Sequence, residues 1–132
     1  YGALILRLSL GVMFIAHALL KLVVFTLPGT VQFFEGIGYP RFLAYVVFGA
    51  ELVGGALLVL GMYTRWVSLA LIPILIGAAL VHFPNGWVFS APNGGWEYPV
   101  FLAIACAVQA LLGDGAWALR APAGRIATRQ PA

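Results

Sequence analysis

Four long runs of apolar residues, separated by short breaks rich in glycine, proline or polar residues, organise this chain: residues 3–25, 42–63, 66–83 and 98–112, the last with room to extend to 119. Each approaches the ~20 residues that carry a helix across ~30 Å of hydrocarbon at 1.5 Å per residue. The runs lack period-2 alternation and are longer than a barrel strand of about ten residues, so they read as helices. The pattern predicts an all-α fold, an integral membrane four-helix bundle. Its helices cover about residues 3–25, 42–63, 66–83 and 97–113 of a single transmembrane domain spanning 1–119, followed by a basic tail at 120–132.

The breaks refine this picture. Pro28-Gly29 interrupts the first run, and residues 30–36 read as a short interfacial helix capped by Thr30 before Gly38 and Pro40 restart the chain. The turn at residues 61–65 leaves Arg65 at a membrane edge. Residues 84–95 carry no charge but hold two Pro-Asn-Gly turns, each followed by a tryptophan, which suits a loop lying in the headgroup layer. Small residues offer close helix contacts at Ala50 and Gly54 and at Ala103 and Ala107.

Composition agrees with a bilayer location. The chain is 63% hydrophobic and 8% charged, against about 25% charged in a soluble domain, which leaves no coat for a water-facing surface. The net charge of +3 does not point to nucleic acid, because three of the seven basic residues, Arg120, Arg125 and Arg129, sit in the last thirteen positions. With an even number of helices those arginines share a side with Arg65, opposite Arg41 and Lys21. The bias places both termini in the cytoplasm and the protein in the cell inner membrane. No small-x-small cleavage site follows the first run, and Lys21 interrupts it, so the segment is expected to be a retained helix rather than a signal peptide. Cys106 is the one cysteine; an internal disulfide, Cys-x-x-Cys exchange and multi-cysteine zinc sites are excluded within the chain.

Candidate chemistry lies where ionisable residues enter the apolar runs, since such groups cost about 2.5–3.5 kcal/mol to insert at a helix centre. At 100° per residue, Arg7, His17 and Lys21 fall within an arc of about 80° on the first helix. Glu51 stands near the middle of the second helix with no charge between Arg41 and Arg65 to neutralise it, so its partner is expected on the first helix, at His17 or Lys21. His82 at the outer end of the third helix and Glu97 at the start of the fourth complete an outer-half ring of ligand-binding candidates: His17, Lys21, Glu51, His82 and Glu97. Individually, Lys21 and Arg7 also read as snorkelling or interface residues, Glu97 as a helix-terminal acid, and Glu51 as one half of an interhelical lock. No i, i+3 or i+4 metal motif occurs, and Lys21 one turn from His17 opposes a cation; no metal and no catalytic residue is assigned.

Read in order, Arg7-Leu-Ser-Leu-Gly-Val-Met-Phe-Ile-Ala-His17 with Lys21, Gly38-Tyr-Pro40, Glu51-Leu-Val-Gly-Gly55, Leu60-Gly-Met-Tyr-Thr-Arg65, His82-Phe-Pro-Asn-Gly86 and Gly94-Gly-Trp-Glu-Tyr98 resemble the DoxX family over nearly the whole chain. The resemblance implies a four-helix membrane bundle and, because family members include subunits associated with membrane oxidoreductases, a redox setting. Many members have no assigned activity, so the resemblance does not fix a reaction. Where the family often has glycine after its first-helix histidine, this chain has Ala18, and a thiol relay would need cysteines on a partner.

Two readings stand at this level. In one, the chain is an integral subunit of a membrane redox system whose polar ring takes a quinone headgroup or another small redox partner. In the other it is a non-catalytic accessory subunit of a larger membrane complex. Both imply the lipid bilayer and other membrane-protein subunits as partners, and neither implies nucleic acid. A transporter is disfavoured, because four helices without an internal repeat offer little machinery for alternating access.

Overall fold

A computed structural model describes residues 1–88 and 90–119, and all the regular structure among them is helical. Helix α1 spans Gly2–Leu19 and continues as one π turn over Leu20–Val24; α2 spans Leu27–Gly36, α3 Arg41–Leu60, α4 Thr64–His82 with a 3-10 turn at Phe83–Asn85, and α5 Glu97–Leu112. Gly2–Val24, Arg41–Leu60 and Thr64–Asn85 are each long and apolar enough to cross a bilayer, whereas α5 has 16 residues. The arginines of the expected tail, Arg120, Arg125 and Arg129, lie outside the described residues.

Two helix pairs, α1 with α3 and α4 with α5, pack side by side, and α2 covers part of α3. Because these helices are apolar on every side, hydrophobicity does not mark the face that turns inward; small and polar residues do. The buried stripe of α1 runs Leu4, Arg7, Leu10, Gly11, Phe14, Ala18, and that of α4 runs Thr64, Ser68, Leu71, Leu75. Leu10, Phe14, Leu58, Leu71, Leu75, Leu102, Ala105 and Cys106 form the core between the pairs.

The α1 and α3 backbones cross most closely at Gly11 and Gly55. A Cβ on either glycine would stand 2.8 Å from the other's carbonyl oxygen, so the α1 and α3 backbones touch there. Gly54 faces the other way, against Leu71 and Val67 of α4.

Helix α2 begins three residues earlier than its sequence implies. Thr26, not Thr30, is the cap, its hydroxyl accepting from Gly29 N–H at 3.2 Å. Pro28 does not break the helix because it sits in the first turn, where its missing N–H would have had no intrahelical acceptor. Nor does α5 extend to Leu119: Gly113 turns the chain out with φ +85°, and residues 113–119 fold back as a strap across the ends of α1 and α3.

Candidate functional site

The outer-half candidates meet first through a local defect in α1. In the π turn Phe25 N–H donates to Leu20 O, five residues back, at 2.9 Å. A single π turn widens the helix and re-aims its side chains relative to an α-helix, a feature frequent at functional sites. Lys21 lies in it, and its Nζ donates to Glu51 Oε1 at 2.8 Å, with the side chains 19% and 7% exposed. Glu51 therefore finds its partner on the first helix, and the partner is Lys21. Thr30 of α2 braces this turn, donating its hydroxyl to Thr26 O at 2.9 Å with Lys21 O at 3.5 Å.

His17 is drawn toward the start of α5. Its Nδ1 stands 2.7 Å from Met13 O; a carbonyl only accepts, so Nδ1 carries the proton and Nε2 is the acceptor of the neutral ring. The imidazole lies 6.3 Å from the ring of Tyr98, whose hydroxyl donates to Met13 Sδ at 3.5 Å. His82 follows the same rule, donating from Nδ1 to Asn93 O at 3.1 Å, a carbonyl that also accepts from Asn85 Nδ2 at 3.2 Å. The connecting loop is pinned onto itself by Trp96 N–H to Gly86 O and Glu97 N–H to Trp87 O, both 3.1 Å, which sets Glu97 at the N-terminus of α5, where its charge favours the helix dipole.

The structure thus joins Lys21 to Glu51, sets His17 one turn before Lys21 with its ring toward Tyr98, and holds His82 and Glu97 at the loop. A cavity of about 460 Å³ lies between α4 and α5, walled by Ile72, Leu75, Ile76, Leu80, Val100 and Ile104, with the stacked Phe83 and Trp96 at one end. None of the five candidates lines it. Among the described residues no three His, Cys, Asp or Glu side chains gather closely enough to hold a metal ion.

At the opposite end of the bundle, Arg7 departs furthest from its sequence reading. A snorkelling anchor would reach water, yet Arg7 is fully buried. The last carbonyls of α3 have no intrahelical donors. Leu57 O is served by the N–H groups of Gly61 and Met62, Leu58 O and Val59 O by Arg7 Nη1 at 2.8 Å each, with Gly61 N–H also 3.2 Å from Leu58 O, and Leu60 O by Leu119 N–H. The same guanidinium donates from Nε to Asp114 O at 2.8 Å and from Nη2 to Ala116 O at 2.9 Å, stitching the strap to the helix end. Gly61 permits this approach: at φ +78° it turns the chain, and a Cβ there would meet Ala118 at 2.6 Å and Arg7 Nη1 at 2.9 Å. Arg65 does likewise for α5, donating from Nε to Ala110 O at 2.9 Å.

The position of Arg7 in the inward stripe, three residues after Leu4 and four before Gly11, is the signal that marks it for burial. Thr64, Ser68 and Gln109, also buried and absent from the candidates read in the sequence, fall in the inward stripes of α4 and α5 by the same rule.

Comparison with known proteins agrees with this architecture. The DoxX family model matches residues 2–84, which carry α1 to α4 and four of the five candidates, His17, Lys21, Glu51 and His82. The chain is 43% identical over 79 residues to a Bacillus subtilis (strain 168) protein named "Putative oxidoreductase CatD", an alignment covering 60% of this chain and 58% of that one. No solved structure matches the chain. With the matched segment taking in well over half of its residues, the chain belongs to the DoxX family.

Proposed function

We propose that this DoxX-family chain is the membrane-embedded subunit of an oxidoreductase system, presenting a site for a quinone headgroup or a small redox partner in its outer half. The observation that carries the reading is the Lys21–Glu51 pair, set in a π turn one helical turn from His17 and left partly open on the lysine side. A quinone that takes two electrons also takes two protons, and its carbonyl oxygens need donors. The Lys21 ammonium supplies a donor; His17 Nε2, the acceptor of the neutral ring, donates once it is protonated, and imidazole and carboxylate exchange protons. The similarity to a protein named as an oxidoreductase supports the redox setting.

The topology belongs to the same proposal: four crossings of the inner membrane, both termini cytoplasmic, and α2 along the outer interface. Although α5 would rise only about 24 Å, it lies along α4 from Trp96 on Phe83 to Ala110 under Arg65, so it returns over the distance α4 travels. In a Cys106→Ser background, Ser90→Cys is expected to react with an impermeant thiol reagent in intact cells and Arg125→Cys is not; the opposite pattern reverses the orientation.

The second reading, a non-catalytic accessory subunit, is favoured by two observations: the ion pair is self-neutralised, and the cavity between α4 and α5 is apolar and borders none of the candidates. Membrane quinone reduction separates the two. A strain lacking the protein and one carrying Glu51→Gln should both be slowed if the outer half is a redox site. Rates equal to wild type in both leave the accessory subunit.

A further inference from the structure

Toward the Arg65 end of α4 and the last turn of α5, three buried polar atoms have no hydrogen-bond partner among the described residues: Thr64 Oγ1, Ser68 Oγ and Gln109 Oε1. Their residues are 1%, 0% and 0% exposed, as enclosed as the apolar core. Thr64 and Ser68 stand one turn apart on the inward stripe of α4. Two tie points on the antiparallel α4–α5 pair, Phe83 on Trp96 and Arg65 on Ala110, set Gln109 level with that turn.

The orientation of the Gln109 amide follows from its one bond. Nε2 donates to Gly113 O at 2.8 Å; because that carbonyl only accepts, nitrogen must face it and Oε1 must face elsewhere. Oε1 is thus an acceptor in need of a donor, level by helix register with two hydroxyls that can each donate and accept, and no direct bond joins them. Polar groups gathered at one level but beyond direct bonding distance are what a bridging water satisfies, and three partners lie within the usual two to four. A cation fits less well. The ligands are neutral, and Arg7 and Arg65 both bring positive charge to this end of the bundle.

We infer that Thr64, Ser68 and Gln109 form an internal hydration site, where ordered water donates to Gln109 Oε1 and bridges the two hydroxyls. The water holds the Gln109 amide in the orientation that grips Gly113, and so anchors the strap at the point where it leaves α5. The site is independent of the outer-half residues and of any redox role.

Thermal unfolding of the full chain in detergent micelles tests this by the sign of the effect. Thr64→Val keeps the shape of the side chain and removes the hydroxyl; Ser68→Ala removes the other. Each is expected to lower the midpoint by about 3–6 °C, on the scale of one net hydrogen bond in a chain of this size. The double variant should lose less than the sum, because both hydroxyls serve one water. A midpoint unchanged or raised in Thr64→Val overturns the site, since deleting a bare buried hydroxyl relieves its desolvation. Should the variants fail to fold, an experimental structure resolving ordered water decides: density within hydrogen-bond distance of all three side chains is expected, and well-ordered side chains with none between them refute it.

Discussion

The two ends of the bundle treat charge in opposite ways. At one end, Lys21 meets Glu51 side chain to side chain, with the ammonium still partly exposed. At the other, Arg7 is fully enclosed and spends its donors on four backbone carbonyls of the α3 terminus and the strap. An ion pair of the first kind can open and re-form around a ligand at modest cost. A guanidinium of the second kind cannot leave without stranding a helix end. Charge in a membrane helix therefore does not by itself mark a functional site; what the charge is bonded to separates a site from a rivet.

The largest test of that contrast is Arg7→Met. It removes the donors to four carbonyls in a buried setting and should cost about 3–5 kcal/mol, the scale of breaking a buried charged network, with loss of folded protein in detergent. Near-normal stability would mean that the strap and the α3 terminus find other donors, and the Arg7 end would no longer be the structural one.

Why the contrast escapes the sequence is physical. Arg7 and Lys21 lie on one α1 arc and look alike as charges flanking an apolar run; the stripe position of Arg7 hints at burial, but the carbonyls it serves are set by the packing of Gly61 and the strap over the helix end. The helices themselves are legible, because apolar runs broken by Gly, Pro and Asn fix their ends to within a few residues. The start of α2 is not, since Pro28 reads as a breaker until Thr26 is seen to cap it. For Glu51, helical rise leaves His17 and Lys21 as candidate partners with His17 the nearer in depth, whereas the partner is Lys21. Lys21 lies in the π turn, and no residue pattern in Leu20–Val24 announces it.

A smaller effect sharpens the Lys21 end. Lys21→Met leaves the Glu51 carboxylate facing apolar surroundings and should cost about 1–2 kcal/mol, less than a fully buried pair because the lysine is partly exposed. Adding Glu51→Leu should restore most of it, since replacing both partners removes the stranded charge. Chemical denaturation of the four proteins of this cycle gives the coupling directly. A double variant less stable than Lys21→Met would mean that Glu51 has a further partner of structural weight.

The smallest effect concerns Asp114. Arg7 binds its main-chain carbonyl, and its carboxylate sets an opposite charge near the guanidinium. Asp114→Asn keeps the carbonyl and should cost under about 1 kcal/mol. A loss comparable to that of Arg7→Met would show that the rivet is ionic after all.

The most direct measurement for the whole account is equilibrium binding of a short-chain quinone to the purified protein, with thermal stability read on the same samples. A site in the outer half predicts that His17→Ala and Glu51→Gln each weaken binding at least about tenfold, the scale of one hydrogen bond to a charged or polar partner, while the unfolding midpoint stays near that of the wild type. Because both act on one ligand, the double variant should lose less than the sum. Equal affinity in all of these proteins, or no binding to the wild type, would contradict the outer-half site and leave the chain an accessory subunit.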